Sequence, residues 1–287
     1  MPELPEVEIA KRSLSNHILN KKILDVTIIN PKLRYFLKKK DFTKIINKTV
    51  NAVERVSKYI LLKFEDQSVV LIHLGMTGRL YFKSKNNDNK DTSFYSKQSI
   101  LKKHDHVLFK FKNFNLIYND IRKFGFIKYY NFLDSKNISH LNGLGPEPLS
   151  KNFSKDYFLK KLKNKKAPIK NTLMDQRFVA GLGNIYVNEA LFISKISPKK
   201  LSFKLNSKEI MNLIHSIKKI IKKSIKMGGS TIKNYHNSEG RQGSYQAEFK
   251  IYGRQGQKCI RQACKGVIRR NMSSNRSFFF CPICQRR

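Results

Sequence analysis

Between residues 59 and 130 the chain alternates short apolar runs with polar breaks. The runs are YILLKF (59–64), SVVLIHL (68–74), HVLFKFK (106–112), NLIYN (115–119) and GFIKYY (125–130). Runs this short, rich in β-branched and aromatic residues, predict strands of a sandwich or barrel. The polar stretch KSKNNDNKDTS (83–93) predicts a loop. Ahead of the strands the spacing changes to that of a helix. Pro5 suits a first helical position, and Glu6 and Glu8 fall in the first turn, where the helix dipole favours acids. Val7, Ile9, Leu14 and Ile18 supply a buried stripe.

Regular structure stops near 131–150, where LGPEPLS places a Gly and two Pro close together. The pattern beyond is helical. NIYVNEALFIS (184–194) has helical apolar spacing. Ser207 can cap a long helix whose apolar face runs Ile210, Leu213, Ile214, Ile217 and Ile221. GGSTIKNYHNSEGRQGS (228–244) predicts a glycine-punctuated loop of the length usually reserved for function. The chain shows no internal repeat. The expected class is α+β with more than one domain.

Charge changes the picture more than composition does. Against 20 Asp and Glu stand 58 Lys and Arg, a net +38 in 287 residues. Such a field draws in polyanions and makes their binding fall with salt. Lysine-rich usage accounts for part of it, as the KKK at 38–40 suggests. With 40% hydrophobic and 27% charged residues the composition is that of a soluble globular protein. No apolar run reaches the roughly 18–20 residues of a membrane span. No secretory signal opens the chain, so a cytoplasmic location is expected.

Cys259, Cys264, Cys281 and Cys284 all fall in the last 29 residues, as two close pairs separated by sixteen. That spacing fits a tetrahedral four-thiolate zinc ribbon, closed to water and therefore structural. Two disulfides, disfavoured in a reducing compartment, and four idle thiols, disfavoured by the spacing, are the alternatives. From Ile251 to Arg287 there are nine Lys or Arg and no acid. Arg276, near the expected hairpin turn, is a candidate phosphate ligand.

The opening MPELPEVE raises a chemical possibility. Removal of Met1 leaves Pro2 as a secondary amine, and an α-amino group titrates near about 7.7–8.0. Lying ahead of a helix's positive end lowers that value further. Attack of such an amine on a sugar C1′ gives an iminium with no N–H proton to lose, an electron sink for elimination. Glu3 could serve as acid or base on the same sugar.

MPELPEVE also resembles the start of bacterial formamidopyrimidine-DNA glycosylases, the 8-oxoguanine DNA glycosylase family. SKYILL (57–62), HLGMTG (73–78), NDIRKFG (119–125), LGPEPL (144–149), IKNTLMDQ (169–176), GLGNIYVNEALF (181–192), YQAEFKIYGR (245–254) and the cysteine tail follow in the family's order. The resemblance implies an N-terminal catalytic β-sandwich (1–132), a linker (133–149), a helix–two-turn–helix domain (150–232), and a lesion loop with a zinc finger (233–287). It implies damaged duplex DNA held between domains, by a monomer. It further implies that Pro2 expels an oxidised purine and that β- and δ-elimination then break the strand. Glu3 would donate the proton for base loss, Lys58 would serve β-elimination, and Arg276 would bind phosphate and assist the last step. His73, His104, Arg122, Lys166, Lys170 and Asn184 would contact DNA. Met76, Arg122 and Phe124 match the family's wedge, which fills the gap left by an extruded base.

Other readings of the same residues stay open. Met76 and Phe124 could be core residues, Lys58 could snorkel at the surface, and Asn184 could only cap a helix. Outside the tail no carboxylate or histidine cluster has ligand spacing, and elimination through an iminium requires no divalent ion. One structural zinc, without catalytic metal or organic cofactor, is therefore expected. Two features depart from the family pattern: Cys-x4-Cys replaces the commoner Cys-x2-Cys, and Ile121 stands where proline more often follows the aspartate. An endonuclease VIII-type enzyme for oxidised pyrimidines is one alternative, and a non-catalytic DNA-binding relative is another.

Overall fold

Alternation at period two sorts the central strands' side chains onto two faces. In β3 (Tyr59–Phe64), Ile60, Leu62 and Phe64 join the main core while Leu61 joins a second cluster behind it. In β4 (Val69–His73), Val70 and Ile72 go one way and Val69 and Leu71 the other. These solidly apolar strands are therefore buried on both sides. The computed structural model describes residues 2–84, 102–132, 138–230 and 244–285. Its residues group into two compact units, Met1–Asn142 with Met227–Gln246, and Gly143–Lys226 with Ala247–Arg287.

The first unit opens with α1 (Leu4–Ile18) and holds two antiparallel four-stranded sheets. One runs β2 (Val50–Val56), β3, β4, β8 (Phe126–Tyr130). The other runs β1 (Asp25–Ile28), β6 (Asp105–Lys110), β7 (Phe114–Asn119), β5 (Arg79–Ser84). Val53, Ile60, Val70 and Ile72 from one sheet and Leu80, Phe82, Val107, Phe109 and Leu116 from the other share one core, with Leu14 and Ile18 of α1 packed into it. Among the predicted strands all five form. β1, β2, β5 and the short α2 (Lys39–Thr43) are additions. β5 runs through Ser84, so the expected polar loop begins later, and its residues 85–93 lie outside the described residues.

Two details of α1 differ from the sequence pattern. Leu4 takes the first helical position and Pro5 the second, with Glu3 as N-cap in a capping box with Glu6. Ala10 is buried in the stripe, whereas Ile9 is half-exposed.

In the second unit, α3 (Lys155–Leu162), α4 (Ile169–Met174), α5 (Asn184–Ile193) and α6 (Ser207–Lys226) precede a hairpin of β9 (Arg269–Ser273) and β10 (Arg276–Phe280). The cap of α6 is Asn206 rather than Ser207. Asn206 Oδ1 accepts the Glu209 N–H at 2.9 Å, and the Glu209 carboxylate accepts the Asn206 N–H at 3.0 Å. Tyr186 and Ser224 join α5 to α6 by a buried hydroxyl pair at 2.6 Å. Among the described residues no helix is long and apolar enough to cross a membrane.

α5 is the socket for the C-terminal hairpin. Asn184 Nδ2 donates to the Ser277 carbonyl at 2.8 Å, and Asn188 Oδ1 accepts the Phe279 N–H at 2.7 Å. Buried Glu189 accepts the N–H groups of Lys250, Ile251 and Tyr252 at 2.8–3.1 Å. Burial holds its carboxyl above the ordinary value, and those three donors pull it back. At the other end of α5, Arg261 donates to the Phe192 and Ile193 carbonyls and lays its guanidinium over the Phe192 ring. Arg261 lies inside the widened Cys-x4-Cys loop, whose extra length brings a cation to the helix's negative end.

Replacing Glu189 with Ala strands three backbone donors, which is expected to cost about 3 kcal/mol or more in urea unfolding. A cost below about 1 kcal/mol would show that water takes over those N–H groups.

Candidate functional site

The strand-end turns of the first unit carry several of the candidate residues. Turns 74–78 and 120–125 pack backbone to backbone, which glycine alone allows. A Cβ on Gly75, already at φ +60°, would stand 2.4 Å from the Gly125 nitrogen. One on Gly125 would strike the Tyr118 hydroxyl and the His73 carbonyl. Tyr118 itself donates to that carbonyl at 3.1 Å. Burial, then Asp120, raises its hydroxyl well above the usual tyrosine value.

Asp120 is fully buried at the centre of this joint. Its Oδ1 accepts from the Thr77 hydroxyl at 2.5 Å and the Arg122 N–H at 3.2 Å, and its Oδ2 from the Gly125 N–H at 2.8 Å. Its own N–H goes to the His104 carbonyl at 3.0 Å, and its carbonyl faces His106 Nε2 at 3.0 Å. In sequence it is one residue of the NDIRKFG segment, with no sign that it joins two separate turns.

The two pieces hold Met76 and Phe124 out at 39% and 46% exposure. Neither is a core residue, so the core reading of both is set aside. Arg122 is exposed and lies over the Phe124 ring, 4.6 Å from its centroid. Together with His73, Arg34, Gly75 and Lys123 these three line one cavity of about 640 Å³.

His73 packs on Phe126 at 5.3 Å, and its Nδ1 accepts the Gly75 N–H at 3.2 Å. Burial, then the positive charges of Lys58 and Arg34, lowers its pKa to about 4. The ring is thus neutral at cellular pH, with its proton on Nε2. Lys58 stands at the β2–β3 turn, where Ser57 takes φ +56°. Arg55 binds the Ser57 carbonyl and Glu8 of α1, both at 2.9 Å, tying that turn to the first helix. Lys58 is only 8% exposed, so it does not snorkel at the surface.

Pro2 and Glu3 are buried at the start of α1. Behind them Glu6 spends both oxygens. One accepts the Glu3 N–H at 2.9 Å, and the other accepts from Ser230 N–H and Oγ at 2.7 and 2.9 Å. A bridge between Ser230 and Ser244 closes the base of the segment expected to be a long loop, whose residues 231–243 lie outside the described residues.

In the second unit, buried Lys170 opens α4, and burial followed by the Arg276 charge lowers its pKa. Arg276 is exposed directly after a two-residue turn in which Ser274 and Asn275 take φ +49° and +58°. Asn184 is not a cap: Gly183 is the N-cap, and the Asn184 side chain is given to Ser277. Lys166 is exposed ahead of α4, and in the first unit His104 is half-buried beside Asp120. Lys170, Asn184 and Arg276 thus come together around β10, as Met76, Arg122, Phe124 and His73 do in the first unit.

The four cysteine sulfurs lie within 4.8 Å of one another. Cys259 and Cys284, like Cys264 and Cys281, are 3.7 Å apart, and none is disulfide-bonded. Thiolates at about 2.3 Å from a tetrahedral zinc sit about 3.8 Å from one another, so the donor set fits such an ion. Gly266 leaves that space open, since a Cβ there would meet the Cys281 sulfur at 2.6 Å.

Two family models match the chain: the formamidopyrimidine-DNA glycosylase N-terminal domain over residues 1–127, and the formamidopyrimidine-DNA glycosylase H2TH domain over residues 144–236. A formamidopyrimidine-DNA glycosylase of Rickettsia bellii is 38% identical, with all of both chains covered, and one from Dinoroseobacter shibae is 37% identical with the same coverage. Among solved structures, the Lactococcus lactis Fpg with DNA containing an abasic site superposes with TM-score 0.86 at 34% identity. It covers 99% of this chain and 100% of that one. The same relative with DNA containing an oxidized pyrimidine superposes with TM-score 0.85 at 33% identity, with both chains covered in full.

Because His73 binds fewer protons folded than unfolded between its shifted value and 6.5, the stability it contributes is complete above pH 6.5 and lost as pH falls through the folded pKa of about 4. NMR titration of the ring is expected to show a midpoint near 4; a midpoint near 6.5 would mean that the cavity wall is open to water.

Proposed function

The chain belongs to the formamidopyrimidine-DNA glycosylase family, and from that premise we propose that it excises oxidised purines from duplex DNA and cleaves the strand at the resulting site. The single observation that carries the catalytic part is the buried Pro2–Glu3 pair at the positive end of α1. With Met1 removed, the Pro2 nitrogen attacks C1′ of the damaged nucleotide and the glycosidic bond to the base breaks. Glu3 delivers the proton that assists sugar-ring opening and base departure. The iminium that forms carries the positive charge. It acidifies the C2′ hydrogen, so that β-elimination expels the 3′ phosphate and a second elimination expels the 5′ phosphate. Lys58, buried among strand ends, serves the first elimination, and Arg276 binds phosphate through the second.

Reaching C1′ requires the nucleotide to leave the stack, at a cost of a few kcal/mol. Met76, Arg122 and Phe124 fill the vacated space: a thioether, a guanidinium to hydrogen-bond the orphaned base, and a ring to stack on its neighbour. His73, His104, Lys166, Lys170 and Asn184 contact the DNA beside them. The four thiolates hold one structural zinc, which stabilises the hairpin that presents Arg276 and takes no part in the chemistry.

Oxidised pyrimidines are a second reading, favoured by the complex of the Lactococcus lactis relative with such DNA. A panel of defined lesions separates the two. Incubation with 8-oxoguanine duplex and borohydride is expected to leave a covalent protein–DNA adduct, absent when Met1 is retained. An adduct that survives blocking of the amine would refute the role of Pro2. Faster trapping on thymine glycol than on 8-oxoguanine would favour the pyrimidine reading.

Elemental analysis is expected to find one zinc per chain, released by thiol-reactive reagents together with loss of DNA affinity. Protein that binds DNA normally with no metal at all would remove the ion from the assignment.

A further inference from the structure

We propose that Asp120 is the positioning residue that welds the Met76 turn and the Arg122–Phe124 turn into one duplex-invading tip, so that displacing a base from the stack depends on its carboxylate. The proposal rests on the glycosylase reading and adds to it a residue that touches neither DNA nor sugar.

The geometry is economical. Each of the three exposed side chains lies on, or one residue before, a backbone or hydroxyl group bonded to this carboxylate. Thr77 follows Met76 and donates to Oδ1 at 2.5 Å. Arg122 donates its own N–H to Oδ1 at 3.2 Å and to the Thr77 hydroxyl at 3.0 Å. Gly125 follows Phe124 and donates to Oδ2 at 2.8 Å. Thr77 and Asp120 are 43 residues apart in sequence, so the carboxylate bridges two separate excursions of the chain.

The residues of the turn do little to stiffen it themselves. Ile121 is exposed and has no ring to fix its φ. Lys123, two positions on, sits at φ +57°, a conformation costly for a side-chain-bearing residue. A strained turn of this kind persists only where its surroundings over-determine it. A carboxylate this deeply buried costs free energy in its turn, so its retention points to geometry rather than to stability alone. A wedge must also resist the stacking force it displaces, and a loosely hung Met or Phe would fold back instead.

The test compares steps that do and do not require a base to be pushed out. Asp120→Asn keeps the shape but turns one acceptor into a donor facing the Gly125 or Arg122 N–H groups. Thr77→Val deletes the bridging hydroxyl at a half-buried position and leaves the fold intact even if the first variant is too unstable to purify. Single-turnover excision of 8-oxoguanine from duplex is expected to fall about tenfold or more in either variant, as for other small misplacements of a positioned group. Dependence on the opposite base should flatten with it. Borohydride trapping on an abasic site in single-stranded DNA, where no base remains to be displaced, should be unchanged. Equal loss on both substrates, or no loss on either, overturns the positioning role. Absence of trapping by the unaltered protein sinks the glycosylase reading instead.

Discussion

The Glu189 carboxylate sits inside α5 and takes the N–H groups of three successive residues, Lys250 to Tyr252. Asp120 does the same for Arg122 and Gly125, and Glu6 for Glu3 and Ser230. A chain with 58 Lys and Arg has donors in excess, and a carboxylate, with two oxygens and no donor, can accept from several buried N–H groups at once. Its 20 acids are correspondingly scarce, and these three stand where separate segments meet. Lysine cannot take their place, because it offers no lone pair. These acids hold the architecture from within, and most of the cations are left to face outward, where a polyanion can find them.

How far the sequence announces this depends on what each position needs. The five apolar runs of the first half all form strands; in β3 and β4 burial on both faces leaves no competing pattern. β1, β2 and β5 escaped notice for the opposite reason: DVTI, VNAVERV and RLYFKS mix charge with apolar residues, as strands do when one side is partly wet. The start of α6 was misplaced by one residue. Asn206 and Ser207 are both good caps, and the reach of Glu209 decides between them only in three dimensions.

Candidate side chains were easier to name than to place. Pattern alone could not tell whether Met76 and Phe124 face the core, since an apolar residue in a strand-end turn can point either way. Their exposure follows from Gly75 and Gly125, which bring the two turns into backbone contact and leave those side chains nowhere inward to go. The buried setting of Lys58 was equally hidden, because it depends on Arg55 drawing the turn against α1. Asp120 lies within NDIRKFG, yet its bridging role is not legible there: its partners lie 43 residues upstream as well as beside it.

The widened first cysteine loop has a mechanical consequence. Through Arg261 it grips the last turn of α5, while Asn184 at the first turn grips β10. The finger is thereby clamped at both ends of a single rod and cannot swivel about one pivot. Any flexing that displaces Arg276 must come from tilting α5 and the hairpin as a block, or from the two-residue tip itself.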